Sequence, residues 1–121
     1  MSKSAKSIQY FGYYVLLVGL QLIFIPNFFL KTIQQPETTE PWIRVVGILA
    51  LALAFFYYQS ANKELTEFFK LTVYTRPFFF IAMSALVIFK LAPPIFIGLG
   101  LVDLIFVIWT WQSLKGEGKM A

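Results

Sequence analysis

The chain has 121 residues, of which 59% are hydrophobic and only 13% charged, and its net charge is +4. A soluble domain of this length cannot bury so much apolar surface, because small domains bury a smaller fraction of their surface. The chain has no cysteine and no histidine, which excludes disulfides and the metal and haem sites built on those residues, so we expect no metal or other cofactor.

The basic residues stand at the ends of apolar runs rather than in one cluster. The chain therefore lacks the basic patch that is typical of nucleic-acid-binding proteins. Basic residues that flank apolar runs are instead typical of segments that face anionic lipid headgroups. We expect membrane lipids among the partners and no nucleic acid. The basic N-terminal segment leads into an apolar stretch without a small-x-small cleavage site, which predicts an uncleaved first span.

The first apolar run extends from about Ile8 to Ile25 and is close to the roughly 20 residues that a helix needs to cross a bilayer. Gly12 and Gly19 are one heptad apart in this run. Because small residues let two backbones approach, these glycines predict a close contact with a neighbouring helix. The only long polar loop, residues 31–40, follows the run.

The second apolar run covers residues 42–60 and has one face of small side chains. Gly47, Ala50 and Ala54 recur at helical spacing on that face. They predict that the face packs against another helix, for the same reason as the glycines of the first run. Pro41, directly before the run, suits the first turn of a helix.

The third run covers residues 71–89 and contains Arg76, and the fourth covers residues 95–113 and contains Asp103. Gly100 and Asp103 share a helical face that is small and polar, and we expect this face to point into the protein. The polar residues before the third run, Glu64 among them, are expected on a solvated face.

Together, the four runs predict an all-α, single-domain membrane protein, a bundle of four transmembrane helices. An even number of spans places both termini on one side of the membrane. The side with the termini then carries six lysines and the other side three basic residues, a bias that favours cytoplasmic termini. The two sets are Lys3, Lys6, Lys63, Lys70, Lys115 and Lys119 against Lys31, Arg44 and Lys90.

Asp103 is the only charged residue between Lys90 and Lys115, and a carboxyl group at membrane depth is expensive unless it has a partner. Counted from the ends of their spans, Asp103 and Arg76 lie at similar depths from the same side, roughly 9–12 Å in at the helical rise. Arg44 begins near the opposite face, on the order of 10 Å away along the span. The sequence therefore predicts Arg76 as the ion-pair partner of Asp103, with Arg44 second.

Three interpretations of these intramembrane charges stay open. In the first, a buried ion pair holds the third span to the fourth and needs no substrate. In the second, Asp103 exchanges protons, or an arginine holds an anion such as a lipid headgroup. In the third, Arg76 snorkels to the cytoplasmic surface.

A proline-containing turn ends the first span, and a Trp-x-Arg-x-x-Gly motif opens the second. The residues are Pro26-Asn27-Phe28-Phe29-Leu30, then Pro36, then Glu40-Pro41-Trp42-Ile43-Arg44-Val45-Val46-Gly47. This layout resembles bacterial four-span membrane proteins of the DoxX-like kind, which implies a location in the bacterial inner membrane. A fainter similarity is to the four-span scaffold proteins of ergosterol biosynthesis, and it implies a non-catalytic organiser of other membrane proteins. That similarity rests on Tyr57-Tyr58, Asn62, Leu71-Thr72 and Tyr74-Thr75.

The sequence contains no phosphate loop, no nucleophile with a base and no paired carboxylates, so we expect no enzyme activity. The leading hypothesis is a structural or accessory subunit that acts through helix–helix contacts with itself or with a larger membrane-protein partner. Its rival is a small transporter or lipid-binding protein in which Asp103 and the arginines contact the substrate. An enzyme acting on lipid or quinone ranks third.

Overall fold

The computed structural model describes residues 2–119. Within these residues the chain forms five α-helices and no β-strand, and 81% of the residues are helical. The helices are α1 (Lys3–Phe24), α2 (Pro26–Thr32), α3 (Trp42–Asn62), α4 (Thr66–Ile88) and α5 (Ile95–Gly116). The all-helical class predicted from the sequence is confirmed.

Four of these helices, α1, α3, α4 and α5, are long and apolar enough to cross a membrane. The chain is an integral membrane protein. α1 begins at Lys3, ahead of the predicted Ile8, and α4 begins at Thr66, ahead of the predicted Leu71. The apolar runs mark only the part of each helix that matches the hydrocarbon layer, whereas backbone hydrogen bonds carry a helix on into polar sequence.

The two prolines at helical positions have different effects. Pro26 restricts the conformation of the residue before it, and Ile25 accordingly leaves the helix at φ −137° and ψ 57°, which separates α1 from α2. Pro26 itself fits the start of α2, where its missing N–H is no loss. Pro77 lies inside α4, which continues through it, although proline cannot donate to the carbonyl of Val73 one turn before.

Residues with a left-handed backbone conformation follow the C-termini of four helices. Gln34, Glu64 and Lys90 follow α2, α3 and α4 at φ angles of 59°, 52° and 62°, and Gly118 follows α5 at 72°. The N–H of Glu64 donates to the carbonyl of Ala61 at 3.2 Å, one of the backbone bonds typical of such helix ends. A side chain in this region costs about 1–2 kcal/mol, so other contacts must hold Glu64 there.

The chain divides into two compact units, and residues 9–59 form the one called here the central unit. In it, the later part of α1 packs against α3. The rings of Phe11 and Tyr57 meet edge to face with their centroids 5.1 Å apart, a geometry that adds about 0.5–1.5 kcal/mol beyond the burial of the rings. Ala54 is buried on the same helix as Tyr57.

The second unit, called here the terminal unit, is described over residues 2–8 and 60–119. α4 packs against α5 in it. A Cβ atom added to Gly100 would lie 3.2 Å from the Cα atom of Phe80, so the small residue sets the close approach of the two helices. Phe69 is fully buried in the same unit.

Candidate functional site

Arg76 lies on α4 in the terminal unit and is almost fully buried, with 3% of its surface exposed. Its Nη2 atom donates to the hydroxyl of Thr72 at 3.1 Å and to the hydroxyl of Thr110 on α5 at 3.0 Å. Its Nε atom donates to the carbonyl of Thr72 at 3.4 Å. Because helical side chains lean toward the N-terminus of their helix, the guanidinium reaches back one turn along α4 before it crosses to α5.

Two buried hydroxyl groups extend this network to the start of α1. The hydroxyl oxygens of Ser7 and Thr110 lie 2.6 Å apart. Ser7 is also placed to donate to the carbonyl of Ser4 at 2.6 Å, and Thr110 to that of Phe106 at 3.1 Å. Each hydroxyl has a single proton to donate, so the two hydroxyls can donate only two of these three hydrogen bonds at one time. The hydroxyl network, defined as Arg76, Thr72, Thr110 and Ser7, joins α1, α4 and α5 through protein groups.

Asp103 lies half-buried on α5, about two turns before Thr110, which is roughly 10 Å along the helix axis. The Nη2 atom of Arg76 is directed to Thr72 and Thr110. The direct Arg76–Asp103 contact stays a prediction. The sequence reasoning missed the threonines as partners of Arg76 because it matched charge with charge and ignored neutral acceptors.

Arg44 lies exposed near the start of α3, in the central unit. Its Nη1 atom donates to the carbonyl of Ile23 in the last turn of α1. The last four carbonyls of a helix have no partner within it, and the negative end of the helix dipole favours a cation there. Arg44 therefore caps α1, and its predicted role as second partner of Asp103 stays a prediction.

The small residues of the central unit lie where α1 and α3 approach each other. A Cβ atom added to Gly47 would lie 2.9 Å from the carbonyl oxygen of Gly19, and one added to Gly19 would lie 3.1 Å from the Cβ atom of Ala50. One added to Gly12 would lie 3.5 Å from the carbonyl oxygen of Ala54. The chain itself covers this small face, so the face is not left open for a partner helix.

The start of α1 is held by two glutamates that the sequence reasoning did not pair with it. Ser2 donates from its N–H and its hydroxyl to the two carboxylate oxygens of Glu64, at 2.6 and 2.7 Å. Ser4 donates in the same way to Glu117, at 2.8 and 2.9 Å. The first N–H groups of a helix lack internal partners, and the positive end of its dipole favours an anion. We call these four residues the carboxylate clamp.

Hydrogen bonding in the carboxylate clamp lowers the pKa of both glutamates. For Glu64, the backbone N–H of Ser2 has the largest effect, and the Ser2 hydroxyl adds to it. For Glu117, burial has the largest single effect and raises the pKa, but the bonds from Ser4 and from Lys119, whose ammonium is 3.0 Å away, together outweigh it. Both carboxylates are therefore ionised at neutral pH. Glu64 is exposed, as expected of a solvated face, and it also accepts hydrogen bonds from Ser2. The signal for the clamp in the sequence was the Ser-x-Ser pattern at the helix start.

Among residues 2–119, no three side chains of the His, Cys, Asp and Glu types come together as a metal site would require. No family model, curated protein or solved structure matches the chain. The class of the protein follows from its four helices of membrane-crossing length and apolar composition, and that class is an integral membrane protein.

Proposed function

We propose that the chain is a non-catalytic accessory subunit that acts through helix–helix contacts with a membrane-protein partner or with a second copy of itself. The observation that carries the proposal is the set of hydrogen bonds that the buried Arg76 makes within α4 and to α5. An ionisable group within a membrane span often marks a substrate or ion pathway. Here Thr72 and Thr110 hold the guanidinium, so the polar interior of the terminal unit serves to join its own helices.

The outer faces of the helices support the same proposal. On α4, Phe78 and Ile81 are 69% and 64% exposed, and on α3, Ile48 and Leu49 are similarly exposed. In a membrane, such faces are covered either by lipid or by another protein, and close packing rather than the hydrophobic effect decides between the two. Because α1 and α3 already use their small residues on each other, contact with a partner falls on these large side chains.

Lack of enzyme activity is part of the proposal. A hydroxyl nucleophile needs a base within hydrogen-bond reach. The neighbours of Thr110 are Ser7, a backbone carbonyl and Arg76, and a guanidinium accepts no proton. The resemblance to the DoxX-like proteins extends the proposal to membership of that group and to the bacterial inner membrane, and the bias of basic residues toward the side of the termini extends it to cytoplasmic termini.

Photo-crosslinking in native membranes tests the accessory role. Benzoylphenylalanine placed at Phe78 should give one discrete protein adduct, whose mass distinguishes a second copy from another protein. The matched control is Phe69 on the same helix, which is fully buried and should give no intermolecular adduct. If Phe78, Ile81 and Ile48 all give adducts with lipid alone, the accessory role is wrong.

A small transporter or lipid-binding protein is the second candidate, and the placement of Asp103 favours it. Asp103 is half-buried and lies outside the hydroxyl network, so part of its surface is exposed to a proton or a substrate group. Proton flux into liposomes that contain the purified protein and a trapped pH dye tests this candidate. Flux that is lost in Asp103→Asn and kept in Glu67→Gln would replace the accessory role with transport.

A further inference from the structure

An open cleft of about 480 Å³ lies in the terminal unit, between the start of α1 and the last turns of α5. Lys3, Trp109, Gln112 and Glu117 line it, together with Ser2 at the start of α1. The lining residues thus include a lysine, a glutamate, a glutamine and a tryptophan. The hydroxyl network and Asp103 are not part of this lining, but Ser2 and Glu117 of the carboxylate clamp are.

The position of the cleft indicates which molecules reach it. α1 begins and α5 ends here, and the ends of membrane-crossing helices lie at the level of the lipid headgroups. Tryptophan side chains such as Trp109 concentrate at that level. The most abundant polar groups at this depth are phospholipid headgroups.

The charges that line the cleft narrow the choice of headgroup. A purely anionic headgroup would be attracted to Lys3 but would also face the Glu117 carboxylate. A simple cation would be attracted to Glu117 but would also face Lys3 and the Lys119 ammonium, which is 3.0 Å from Glu117. A zwitterion that carries a phosphate and an ammonium matches both charges. The low pKa of Glu117, which hydrogen bonds from Ser4 and Lys119 maintain against burial, keeps its negative charge in place at neutral pH.

The existing bonds of Glu117 distinguish a primary ammonium from a methylated one. The carboxylate already accepts the N–H and the hydroxyl of Ser4 and the ammonium of Lys119. A carboxylate has about four acceptor sites, so one remains. A primary ammonium can donate a hydrogen bond to that site, whereas a trimethylammonium group has no proton to donate.

We propose that this cleft binds the headgroup of phosphatidylethanolamine, with the phosphate at Lys3 and Gln112 and the primary ammonium at Glu117. This binding site goes beyond the accessory role proposed above and does not depend on it. The lipid would sit against the side of the protein where α1 begins and would hold that end of α1 and α5 at headgroup depth.

Native mass spectrometry of the purified full-length chain tests the site with three defined lipids. Phosphatidylethanolamine, phosphatidylcholine and phosphatidylglycerol of the same acyl chains are added in turn. The expected result is that phosphatidylethanolamine is retained about tenfold better than the other two, because one charge-assisted hydrogen bond is worth at least that ratio. Equal retention of phosphatidylcholine would overturn the proposal, and so would stronger retention of phosphatidylglycerol.

Two variants and one control variant locate the binding. Lys3→Ala should reduce retention of phosphatidylethanolamine about tenfold, whereas Lys6→Ala should leave it unchanged. Lys6 is exposed on the same helix, does not line the cleft and carries the same charge, so it is the matched control. Gln112→Leu, at an exposed position with little risk to folding, should reduce retention as well. Equal effects of Lys3→Ala and Lys6→Ala, or unchanged retention in Gln112→Leu, would place the lipid elsewhere and overturn the proposal.

Discussion

Arg76 on α4 donates a 3.0 Å hydrogen bond to the hydroxyl of Thr110 on α5. This bond joins a buried guanidinium to a neutral side chain, although the sequence offers a carboxylate, Asp103, on the same helix as Thr110. Hydroxyl acceptors let an arginine stay inside a membrane protein as part of its framework, since each accepted N–H offsets some of the lost hydration.

Thr110→Val should destabilise the protein, because it keeps the shape of the side chain and removes the oxygen that Arg76 and Ser7 share. We expect a loss of about 1–3 kcal/mol in the free energy of unfolding. Unfolding in mixed micelles with increasing denaturing detergent measures it. The control is Thr75→Val on exposed α4 surface, where the hydroxyl has only a 3.5 Å contact with the carbonyl of Thr72. Equal effects of the two valines would show that the hydroxyl network contributes nothing.

Asp103→Asn should destabilise the protein more than the double variant Arg76→Gln with Asp103→Asn. The reason is that the single variant removes the carboxylate of the predicted Arg76–Asp103 contact and leaves the positive charge of Arg76 inside the membrane without an anionic partner. A double-mutant cycle should therefore give an interaction energy of about 0.5–3 kcal/mol. Strictly additive effects would show that the Arg76–Asp103 contact does not form.

Gly47→Ala should weaken the packing of α1 on α3. The added Cβ atom would lie 2.8 Å from the Cγ1 atom of Ile23 and 2.9 Å from the carbonyl oxygen of Gly19, so the helices must move apart, at a cost of about 1–3 kcal/mol. Gly98→Ala is the control, because its Cβ atom would lie 3.8 Å from the nearest neighbour. That variant should be neutral or more stable, since glycine costs about 0.5–1 kcal/mol within a helix. Thermal unfolding that ranks the two variants in the opposite order would refute the close contact.

The carboxylate clamp should make stability depend on pH in the acid range. The pKa values of Glu64 and Glu117 are lower in the folded protein than their ordinary value of 4.5. Folding therefore favours the ionised forms, so the stability they contribute is present above pH 4.5 and is lost as the pH falls through the folded-state pKa values. Thermal unfolding of the wild type should show this loss below pH 4.5.

Replacing the clamp by glutamines should remove that part of the pH dependence. Glu64→Gln with Glu117→Gln should be less stable than the wild type at pH 7, and the difference should shrink on acidification below pH 4.5. The control is Glu67→Gln, since Glu67 is exposed and has only a 3.4 Å contact with Lys70; its effect should stay within about 1 kcal/mol. A constant difference between the clamp variant and the wild type at all pH values would argue against the role of the clamp.

The charge bias predicts that both ends of the chain face the cytoplasm. Single cysteines at Lys6, Glu37 and Lys63, all exposed, report the sidedness through a membrane-impermeant thiol reagent. Lys6 is preferable to the neighbouring Ser4, which is buried and bonded to Glu117. In intact cells only the cysteine at position 37 should react. Labelling at position 6 from outside would reverse the predicted orientation.

The amino-acid sequence alone was enough to predict that the protein lies in a membrane and that it has four long helices. Hydrophobic length is a local property, so four apolar runs were enough to predict four membrane-crossing helices. Proline chemistry is equally local, and α1 ends just before Pro26 as predicted, although residues 26–30, which the sequence placed in a turn, belong to the short helix α2. Helix ends were less predictable: α1 and α4 begin earlier than the apolar runs, because polar residues continue a helix without any change in hydrophobicity.

Only the tertiary structure decided which polar groups meet. Ser4 and Glu117 are 113 residues apart, and Arg76 and Thr110 are 34 apart. No local pattern relates such residues, since their contact depends on how the helices pack and on the rotation of each helix about its axis. Depth along a helix can be counted from a sequence, and it placed Arg76 and Asp103 at similar levels. The direction of a long side chain cannot be counted in this way, and Arg76 turns back toward Thr72 and Thr110 because helical side chains lean toward the N-terminus.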